Sequence, residues 1–367
     1  MPTTTVADRA GLLSALSSAN GGDTIVLKNG NYGSLTLNND YSSAVTIRAE
    51  QSHGATVNLL TLQNATNITF DGIKFASGMN GSNGRGVVNI EQASSGISVV
   101  NSAVTGSVDG VYEGHFGIYV RSSNSIRLEN NDVHDVRSGI VIFGSANSTV
   151  KDNAIDYFSE DGMKLAGLSN AVIDGNVTLG HICPTAGAHA VFILFQGTSN
   201  SLTVTDNVYL ASTIGSAQGI FFSDGTYQNV RIENNLIYTD MLRGISVSDG
   251  STGVVVNNNT LLNVPGGHAG TTVMVPAGSS VNNNVMMNYA GGTSGSNLVL
   301  QNTNPNAAYY VNDYFQNGAK GLGVTLQDLS PVAGSLAGSK GAASLLASLL
   351  GGSTPAPSTP TPPTTPT

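Results

Sequence analysis

Short strands of alternating apolar and polar residues recur along most of the chain, and an asparagine follows many of them. An asparagine followed by apolar residues stands at Asn131, Asn153, Asn176, Asn207, Asn235, Asn259 and Asn284. The intervals between them run from 22 to 31 residues, and no helical pattern separates the strands. Two or three short strands in a repeat of about 25 residues predict a parallel β-helix, in which each repeat forms one turn of a solenoid.

Asparagine has two properties that suit a corner of such a solenoid. It tolerates the left-handed backbone conformation that a tight corner requires. Its side-chain amide can also hydrogen-bond to the amide of the next turn, so that a column of asparagines forms a ladder. We therefore interpret the seven asparagines as structural residues rather than catalytic ones.

A second strand, usually opened by glycine, follows most of these asparagines and separates inward from outward positions. Its inward positions are apolar, as the interior of a solenoid requires, and they include Ile118, Ile140, Met163, Ile193, Ile220 and Ile245. The outward face carries a mixed strip of Tyr119, Arg121, Asp161, Lys164, Gln196, Gln218 and Arg243, interspersed with Val141, Leu194 and Phe221. Arg137 lies beside this strip, which is our candidate functional surface.

The N-terminal residues predict a short amphipathic helix. Within residues 5–19, one helical face carries Leu12, Leu13, Leu16 and Ala19. Thr5 and Asp8 resemble a capping pair at the start of that helix. We expect the helix to cover the open first turn of the solenoid, as capping elements do in repeat proteins.

The predicted organisation has four parts. The N-terminal cap helix occupies residues 1–22, the parallel β-helix 23–315, and a closing segment with a short helix 316–352. Residues 353–367 are rich in proline and threonine and predict a linker or disordered tail. We expect a linker of this kind to connect to a further module.

Composition narrows the classes of partner. The net charge is −9 with only 14 Lys and Arg residues, which argues against nucleic-acid binding. No apolar run approaches the roughly 18 residues that a membrane span needs, so we expect no membrane contact. The only cysteine, Cys183, excludes an internal disulfide and a thiolate metal site. The N-terminus has no leader pattern, yet an acidic, lysine-poor chain rich in glycine and asparagine is typical of extracellular or cell-surface proteins.

Several segments resemble the secreted right-handed parallel β-helix proteins of the pectate-lyase-like superfamily. They are ALSSANGGDTIVLKNGNYGSLTL at 15–37, NITFDGIKF at 67–75, the repeated asparagine turns, and DLSPVAGS around Ser330. The resemblance implies an all-β, right-handed fold. That superfamily includes polysaccharide lyases, C5-epimerases, glycoside hydrolases, tailspikes and non-catalytic surface proteins, so the fold alone does not select an activity.

The catalytic motifs of these enzymes are not matched. The epimerase DPHD signature, the polygalacturonase blocks, the pectate-lyase RxPxxR and the calcium-binding nonapeptide repeat are all missing from the sequence. In GAHAVFILFQG at 187–197, related coils often have an outward Asp and Gln where this chain has Val191 and Leu194. The polar strip is therefore the better guide to function.

The strip fits a groove for an acidic polysaccharide. Lyases and C5-epimerases remove a weakly acidic C5 proton, and they need a base and a cation that neutralises the uronate carboxylate. We assign the catalytic roles to Lys164 as base, Arg137 or Arg243 as the cation, and Tyr119 as a proton donor. The predicted substrate contacts are Asp161, Arg121, Gln196, Gln218, Phe221, His181 and His189.

Other interpretations stay open. The cations could instead form surface ion pairs with Glu160, Asp161 and Asp240. A hydrolase would need two carboxylates, for which Asp161 with Asp240 or Asp224 are candidates. A non-catalytic surface or assembly module is the competing class, and Val141, Leu194 and Phe221 would then serve self-association. The sequence establishes no cofactor and no metal ligand, and calcium stays open as a candidate.

Overall fold

The computed structural model describes residues 2–77, 84–106, 114–179, 190–213, 215–267 and 272–351. Residue contacts divide this part of the chain into two compact units. The first consists of residues 2–159 with Leu168–Ala171, and the second of Glu160–Gly167 with residues 172–351. Each unit is built from short parallel strands and has the architecture of a parallel β-solenoid.

The first unit begins with one strand, a helix, and then strands that follow each other at short intervals. These are β1 (Thr3–Val6), α1 (Arg9–Ser18), β2 (Thr24–Leu27), β3 (Gly30–Asn31), β4 (Ser34–Leu37), β5 (Asp40–Ala49), β6 (Ala55–Val57), β7 (Leu59–Gln63), β8 (Thr66–Asp71), β9 (Lys74–Ala76), β10 (Gly86–Glu91), β11 (Ser95–Val100), β12 (Ala103–Thr105), β13 (Phe116–Arg121), β14 (Arg127–Glu129), β15 (Asp132–Val136), β16 (Ile140–Ala146), β17 (Thr149–Lys151) and β18 (Ala154–Phe158).

The second unit continues the same pattern and ends in short helices. Its elements are β19 (Asp161–Asp174), β20 (Val177–Thr178), β21 (Val191–Gln196), β22 (Ser199–Thr205), β23 (Val208–Leu210), β24 (Gln218–Ser223), β25 (Tyr227–Glu233), β26 (Leu236–Thr239), β27 (Arg243–Val247), β28 (Thr252–Asn257), β29 (Thr260–Asn263), β30 (Thr272–Met274), β31 (Ser280–Asn282), β32 (Val285–Met286), β33 (Asn288–Ala290), β34 (Thr293–Ser294), β35 (Leu298–Val299), η1 (Val311–Asp313), η2 (Leu336–Gly338) and α2 (Ala343–Gly351). The middle of β19, Leu168–Ala171, belongs to the first unit.

Every turn contributes strands to three faces, which we call front, middle and back. In the first unit the front strands are β4, β7, β10, β13 and β16, and in the second they are β19, β21, β24, β27, β30 and β33. The middle strands of the second unit are β22, β25, β28, β31 and β34, and the back strands are β20, β23, β26, β29, β32 and β35. All these pairings are parallel, so one turn lies about 4.8 Å from the next.

A ladder of buried asparagines joins the turns at the corner between the middle and back faces. In the second unit it runs through Asn176, Asn207, Asn235, Asn259, Asn284 and Asn297. Each side-chain oxygen accepts hydrogen bonds from both the backbone N–H and the side-chain amide of the preceding asparagine, at 2.9–3.0 Å. The first unit has the same contact between Asn131 and Asn153, at 2.9 Å. The predicted ladder is confirmed within each unit.

The left-handed conformation belongs to the residue before the ladder asparagine at every described turn except that of Asn297. Asn130, Asp206, Asn234, Asn258 and Asn283 have φ between 54° and 57°. The two properties that we assigned to one asparagine are therefore divided between two neighbours. The first residue makes the corner and the second fills it with hydrogen bonds, which explains the frequent Asn-Asn pairs in the sequence.

The predicted inward column is confirmed as the interior of the solenoid. Ile118, Ile140, Met163, Ile193, Ile220 and Ile245 have no measurable exposure. Two residues further along each front strand, the interior contains stacked aromatic rings: Phe195 and Phe222 lie 4.1 Å apart and nearly parallel. Strand pairing places Ile193 opposite Ile220 and Ile220 opposite Ile245, which is the predicted register.

The N-terminal helix forms, but its first turn differs from the prediction. Thr5 belongs to β1, which pairs with β2. Asp8 alone caps the helix, because its side chain accepts a hydrogen bond from the N–H of Gly11 at 2.8 Å. Leu12 and Leu16 are buried, while Leu13 is only partly buried. Thr3, Thr4 and Thr5 form a strand instead of the start of the helix, because the strand gains backbone hydrogen bonds to β2.

The closing segment packs on the back face of the second unit. Outward side chains of the back strands, among them Leu210, Leu236, Tyr238 and Leu262, form one core with Val311, Phe315, Val324, Leu329 and Leu346. Tyr238 also accepts a hydrogen bond from the N–H of Gly321 at 3.1 Å. Apolar runs such as LIYT and TLLN are therefore buried on both faces, as strands covered on both sides are.

We expect Ile220→Ala to lower the free energy of unfolding by about 2–5 kcal/mol, because the stacked strands around it cannot collapse into the cavity. Urea unfolding followed by circular dichroism measures the change. Gln228→Ala is the matched control: Gln228 is exposed on β25, and its loss should cost at most about 0.5 kcal/mol. Equal midpoints for the two variants would contradict the assigned register.

Asn235→Ala should destabilise the second unit by at least about 2 kcal/mol, because several buried polar groups lose their partner at once. Asn235 has no exposed surface, and its amide donates to Val204 and to Asn259 while its oxygen accepts from Asn207. The measurement is again the urea midpoint, with Gln228→Ala as the reference. A loss no larger than that of the reference would mean that the ladder contributes little.

Candidate functional site

The front strands of the second unit place one outward residue from each turn in a column. Lys164 lies opposite Leu194, Leu194 opposite Phe221, and Phe221 opposite Ser246. Two turns therefore separate Lys164 from Phe221, about 9.6 Å along the solenoid. That distance is too long for both side chains to act on one atom, but it suits contacts to neighbouring sugars of a chain.

Arg243 has a fixed position beside this column. Its guanidinium carbon lies 4.5 Å from the centre of the Phe221 ring, and its Nη1 donates a hydrogen bond of 3.1 Å to Oγ of Ser246. A cation over an aromatic face is attracted by the ring's negative charge distribution. Among the described residues Arg243 has no carboxylate partner, so its other N–H groups are available to an anionic ligand.

A cleft of about 440 Å³ surrounds the Arg243 and Phe221 pair. Its polar lining consists of Ser223, Asp224, Arg243, Ser246, Ser248 and Asp249, and its apolar lining includes Phe221 and Met274. Asp224 is oriented by Gln196, whose Nε2 donates at 3.2 Å, and by Ser223 at 3.3 Å. A guanidinium and an aromatic ring can contact an acidic sugar, and the hydroxyls and carboxylates beside them can hydrogen-bond to sugar hydroxyl groups. We call it the Arg243 cleft.

Lys164 stands on the front strand β19 and is partly exposed. No hydrogen bond or ion pair of its ammonium group occurs within the part of the chain that the structure describes. It therefore differs from Arg127 and Arg231, which pair with Glu129 at 2.5 Å and Glu233 at 2.7 Å on the middle face. Within the described residues, the two arginines of the middle face are thus held in ion pairs, whereas Lys164 on the front face is not.

In the first unit the predicted residues form an aromatic and cationic patch on the front face. The Tyr119 ring stacks on Phe116 with centroids 5.7 Å apart, and it meets Phe143 edge-on at 6.1 Å. The guanidinium of Arg137 lies 5.6 Å from the centre of the Phe116 ring. Arg121 is exposed, whereas Tyr119 is only 8% exposed, so the predicted outward direction of Tyr119 does not make it accessible.

Several residues of the predicted strip are buried instead of exposed. Asp161 is 3% exposed, and its Oδ1 accepts a hydrogen bond from the N–H of Val191 at 3.1 Å. Gln218 is 9% exposed. A carboxylate that holds the start of the next strand is a structural group. Burial of Asp161 also removes it from the carboxylate pairs that a hydrolase would need.

The expected apolar contact surface is absent from the described residues. Val141 has no exposed area and Leu194 only 8%, while Phe221 is partly exposed beneath Arg243. Val141 pairs with Tyr119 and lies two residues from Phe143, so larger rings flank its short side chain. A side chain that points outward from the solenoid is therefore exposed only if the side chains next to it are too short to cover it.

Some predicted groups cannot be placed. His181, His189 and Cys183 lie outside the described residues. Within the described ranges, no group of three or more His, Cys, Asp or Glu side chains could hold a metal ion. In the same part of the chain, no helix is long and apolar enough to cross a membrane.

A cluster around His134 was missed in the sequence. Nδ1 of His134 and Oδ2 of Asp135 are 2.5 Å apart, and His134 lies opposite Asp156 in the next turn. Burial lowers the pKa of His134, but the hydrogen bond that its ring donates to Asp135 and the charges of Asp132, Asp135 and Asp156 outweigh burial and raise the pKa. The motif DVHD carries the signal, although only the register brings Asp156 to the histidine.

Comparison with known proteins agrees with the observed architecture. A family model described as "Right handed beta helix region" matches residues 17–210 and 85–261, together more than half of the chain. A comparison with curated protein sequences found no match.

Three solved structures are similar in fold. A PL6 family alginate lyase, AlyGC, has a TM-score of 0.55 at 15% identity, over 94% of this chain and 57% of its own. The Dettilon tailspike protein has a TM-score of 0.52 at 14% identity, over 82% and 63%. PfbA, a surface adhesin of Streptococcus pneumoniae, has a TM-score of 0.50 at 11% identity, over 79% and 86%. This chain thus spans little more than half of the alginate lyase. Sequence identities of 11–15% show a shared fold but not a shared activity.

We expect His134 to make the stability of the first unit depend on pH. Since its folded-state pKa is raised, its contribution is fully present below about pH 6.5, the usual histidine value, and is lost as the pH rises through the folded-state pKa. The difference in Tm between wild type and His134→Gln should therefore shrink from pH 6 towards pH 9, as scanning calorimetry would measure.

Asp135→Asn provides the companion variant, because asparagine tolerates the left-handed backbone of Asp135 at φ 55°. It removes the charge that raises the pKa of His134, so the same pH dependence should weaken. A Tm difference that grows with pH in either variant would contradict the assigned sign.

Proposed function

The chain belongs to the right-handed β-helix family, and from that premise we propose that it is an extracellular or cell-surface carbohydrate-active protein. We propose further that its second unit binds a uronate-containing polysaccharide along the front strands and acts on it as a lyase or a C5-epimerase. The alginate lyase of similar fold supports the substrate class only as an analogy. The residues of the cleft have to carry the argument.

Arg243 is the single observation that carries the proposal. Arg127 and Arg231 on the middle face are paired with carboxylates. Arg243 is instead held over Phe221 and bonded to Ser246 in a cleft. A uronate carboxylate can accept two hydrogen bonds from a guanidinium of fixed orientation. The Phe221 ring beside it offers an apolar surface to the face of the same sugar.

Lys164 is the proposed base. It stands in the same outward column as Phe221, about two turns or 9.6 Å away, so it reaches a neighbouring sugar rather than the one at Arg243. In this arrangement Arg243 positions the polymer through the carboxylate of one sugar, while Lys164 faces the C5 proton of a neighbouring sugar. The carboxylate of that reacting sugar would need a further cation to neutralise it. Gln196 contributes indirectly, since it orients Asp224 in the cleft.

The patch of the first unit is proposed as a polysaccharide contact of its own. Arg121 and Arg137 supply positive charge there, and Phe116 and Phe143 supply partly exposed rings. Tyr119 supports this patch by stacking on Phe116, which is the role its burial allows. The burial of Tyr119 makes it a poorer candidate for a catalytic residue than Lys164, which is partly exposed.

A non-catalytic binding module is the second candidate function. The turn between Lys164 and Phe221 contributes Leu194 to the outward column and Val191 at the start of the strand, and both are apolar and nearly buried. A reacting sugar over that turn would find no polar group from these two side chains. The adhesin of similar fold is compatible with such a role as an analogy.

Arg243→Ala and Lys164→Ala should each lower turnover on uronate polymers by at least about a hundredfold, the range for a positioned charge or base. Lyase activity is measured by the ultraviolet absorbance of the unsaturated product, and epimerase activity by exchange of the C5 proton with deuterated solvent. Both variants should keep the wild-type unfolding midpoint because neither side chain is part of the interior.

Arg231→Ala is the matched control, because Arg231 is an exposed arginine paired with Glu233 on the middle face. It should leave turnover unchanged. If wild type neither cleaves nor exchanges any uronate polymer but binds one through Arg243, the non-catalytic module is correct. If Arg243→Ala changes neither turnover nor binding, the proposed site is wrong.

A further inference from the structure

Two tyrosines after the last back strand form a surface that the Arg243 cleft does not include. Tyr309 is 55% exposed, and its ring is nearly parallel to that of Tyr314, with an interplanar angle of 6° and centroids 6.5 Å apart. We propose that Tyr309 and Tyr314 form a platform that binds a neutral glycan. The platform would hold the protein on a polysaccharide independently of the front strands.

Tyr309 adopts a backbone conformation that disfavours an aromatic residue. Its φ is 62°, in the left-handed region where glycine and asparagine are tolerated and bulky side chains are rare. The corners of the solenoid mostly use asparagine or aspartate at such φ values, as at Asn234 and Asp206. The Tyr309 ring contacts Tyr314 but is otherwise largely exposed, so packing offers little compensation for this backbone conformation.

The loop that carries Tyr309 is held rigidly by one side chain. Oε1 of Gln301 accepts hydrogen bonds from the N–H groups of Thr303 and Asn304, both at 2.9 Å. Its Nε2 donates to the carbonyl oxygen of Asn304 at 2.8 Å, and its backbone N–H donates to the carbonyl oxygen of Tyr309 at 2.9 Å. The ring is therefore presented by a preorganised loop, which lowers the entropy cost of binding.

Tyr314 is fixed from the other side by the core of the second unit. It directly follows η1. Val311, three residues before it, and Phe315, directly after it, are 1% exposed within the core that covers the back strands. The N–H of Val332 donates to the carbonyl oxygen of Tyr314 at 2.8 Å. Both rings thus stand on anchored backbone, and their mutual orientation does not depend on a ligand.

The surroundings favour a neutral glycan over an acidic one or a protein. Most exposed side chains nearby in sequence are polar, among them Asn304, Asn306, Asp313 and Gln316, whereas Pro305 and Ala308 are small apolar exceptions. The carboxylate of Asp313 interacts electrostatically with Tyr314. Among the described residues, no arginine or lysine lies over either tyrosine ring as Arg243 lies over Phe221, so nothing here offsets that negative charge for a uronate. A protein partner of ordinary affinity needs an apolar core of contact, whereas two tyrosines with amides around them offer flat rings and hydrogen-bond groups to pyranose rings.

The test uses the full chain and soluble neutral oligosaccharides: cello-, manno- and xylo-oligosaccharides. The chain has no tryptophan, so a change in tyrosine fluorescence can be followed directly, and calorimetry gives the affinity. Tyr309→Ala should weaken binding at least about fivefold, in keeping with the strength of aromatic contacts. Tyr309→Phe should retain it, because the ring is kept.

Tyr309→Asn separates binding from folding. Asparagine tolerates the left-handed conformation, so this variant should lose binding like Tyr309→Ala while its Tm stays equal to wild type or rises by about 1–2 °C. Tyr289→Ala is the control, since Tyr289 is also exposed, at 38%, on β33. It should leave binding unchanged.

The proposal does not rest on the uronate activity, and turnover on uronate polymers should be the same in Tyr309→Ala as in wild type. It is overturned if wild type binds no neutral oligosaccharide, or if Tyr309→Ala binds as well as wild type. Association with a second copy or a protein that depends on Tyr309, without glycan binding, would assign the platform to a protein partner instead. A clear fall in Tm for Tyr309→Asn would assign the tyrosine a structural role.

Discussion

The hydrogen bond between stacked asparagine amides is the interaction on which the second unit depends. Each ladder asparagine accepts from the backbone and the side chain of the preceding one, and so satisfies polar groups at a corner where no water reaches them. The donors and acceptors match only when successive turns are in one register. Six asparagines in sequence therefore fix which side chains of the front strands point inward and which point outward.

The Arg243 cleft follows from that register. Alternation along the front strands sends Ile220 into the interior and Phe221 outward, and the next turn brings Ser246 beside Phe221. Arg243 then lies across the ring and bonds to the serine, which orients its charge without a carboxylate partner. The apolar Leu194 in the intervening turn is equally a product of the register, and it is the reason why a binding role without catalysis stays a serious alternative.

The repeat, the parallel strands and the inward column could be predicted because they rest on spacing alone. Asn297 was not predicted as part of the ladder because it follows Asn284 by only 13 residues, about half of the usual repeat. Burial on the outward face could not be predicted, since it depends on the size of neighbours: Phe143 and Tyr119 flank Val141, and Asp161 binds the backbone of Val191. The His134 cluster needed Asp156 from the adjacent turn, and the covering of the back strands by Phe315 and Leu329 needed contacts that are distant in sequence.

The most direct test of the central claim is a crystal structure of the protein with a bound uronate oligosaccharide. The account predicts one uronate carboxylate within about 3 Å of the Arg243 guanidinium, the same sugar against the Phe221 ring, and the chain running along the front strands towards Lys164. An oligosaccharide bound elsewhere, with Arg243 still bonded only to Ser246, would contradict it.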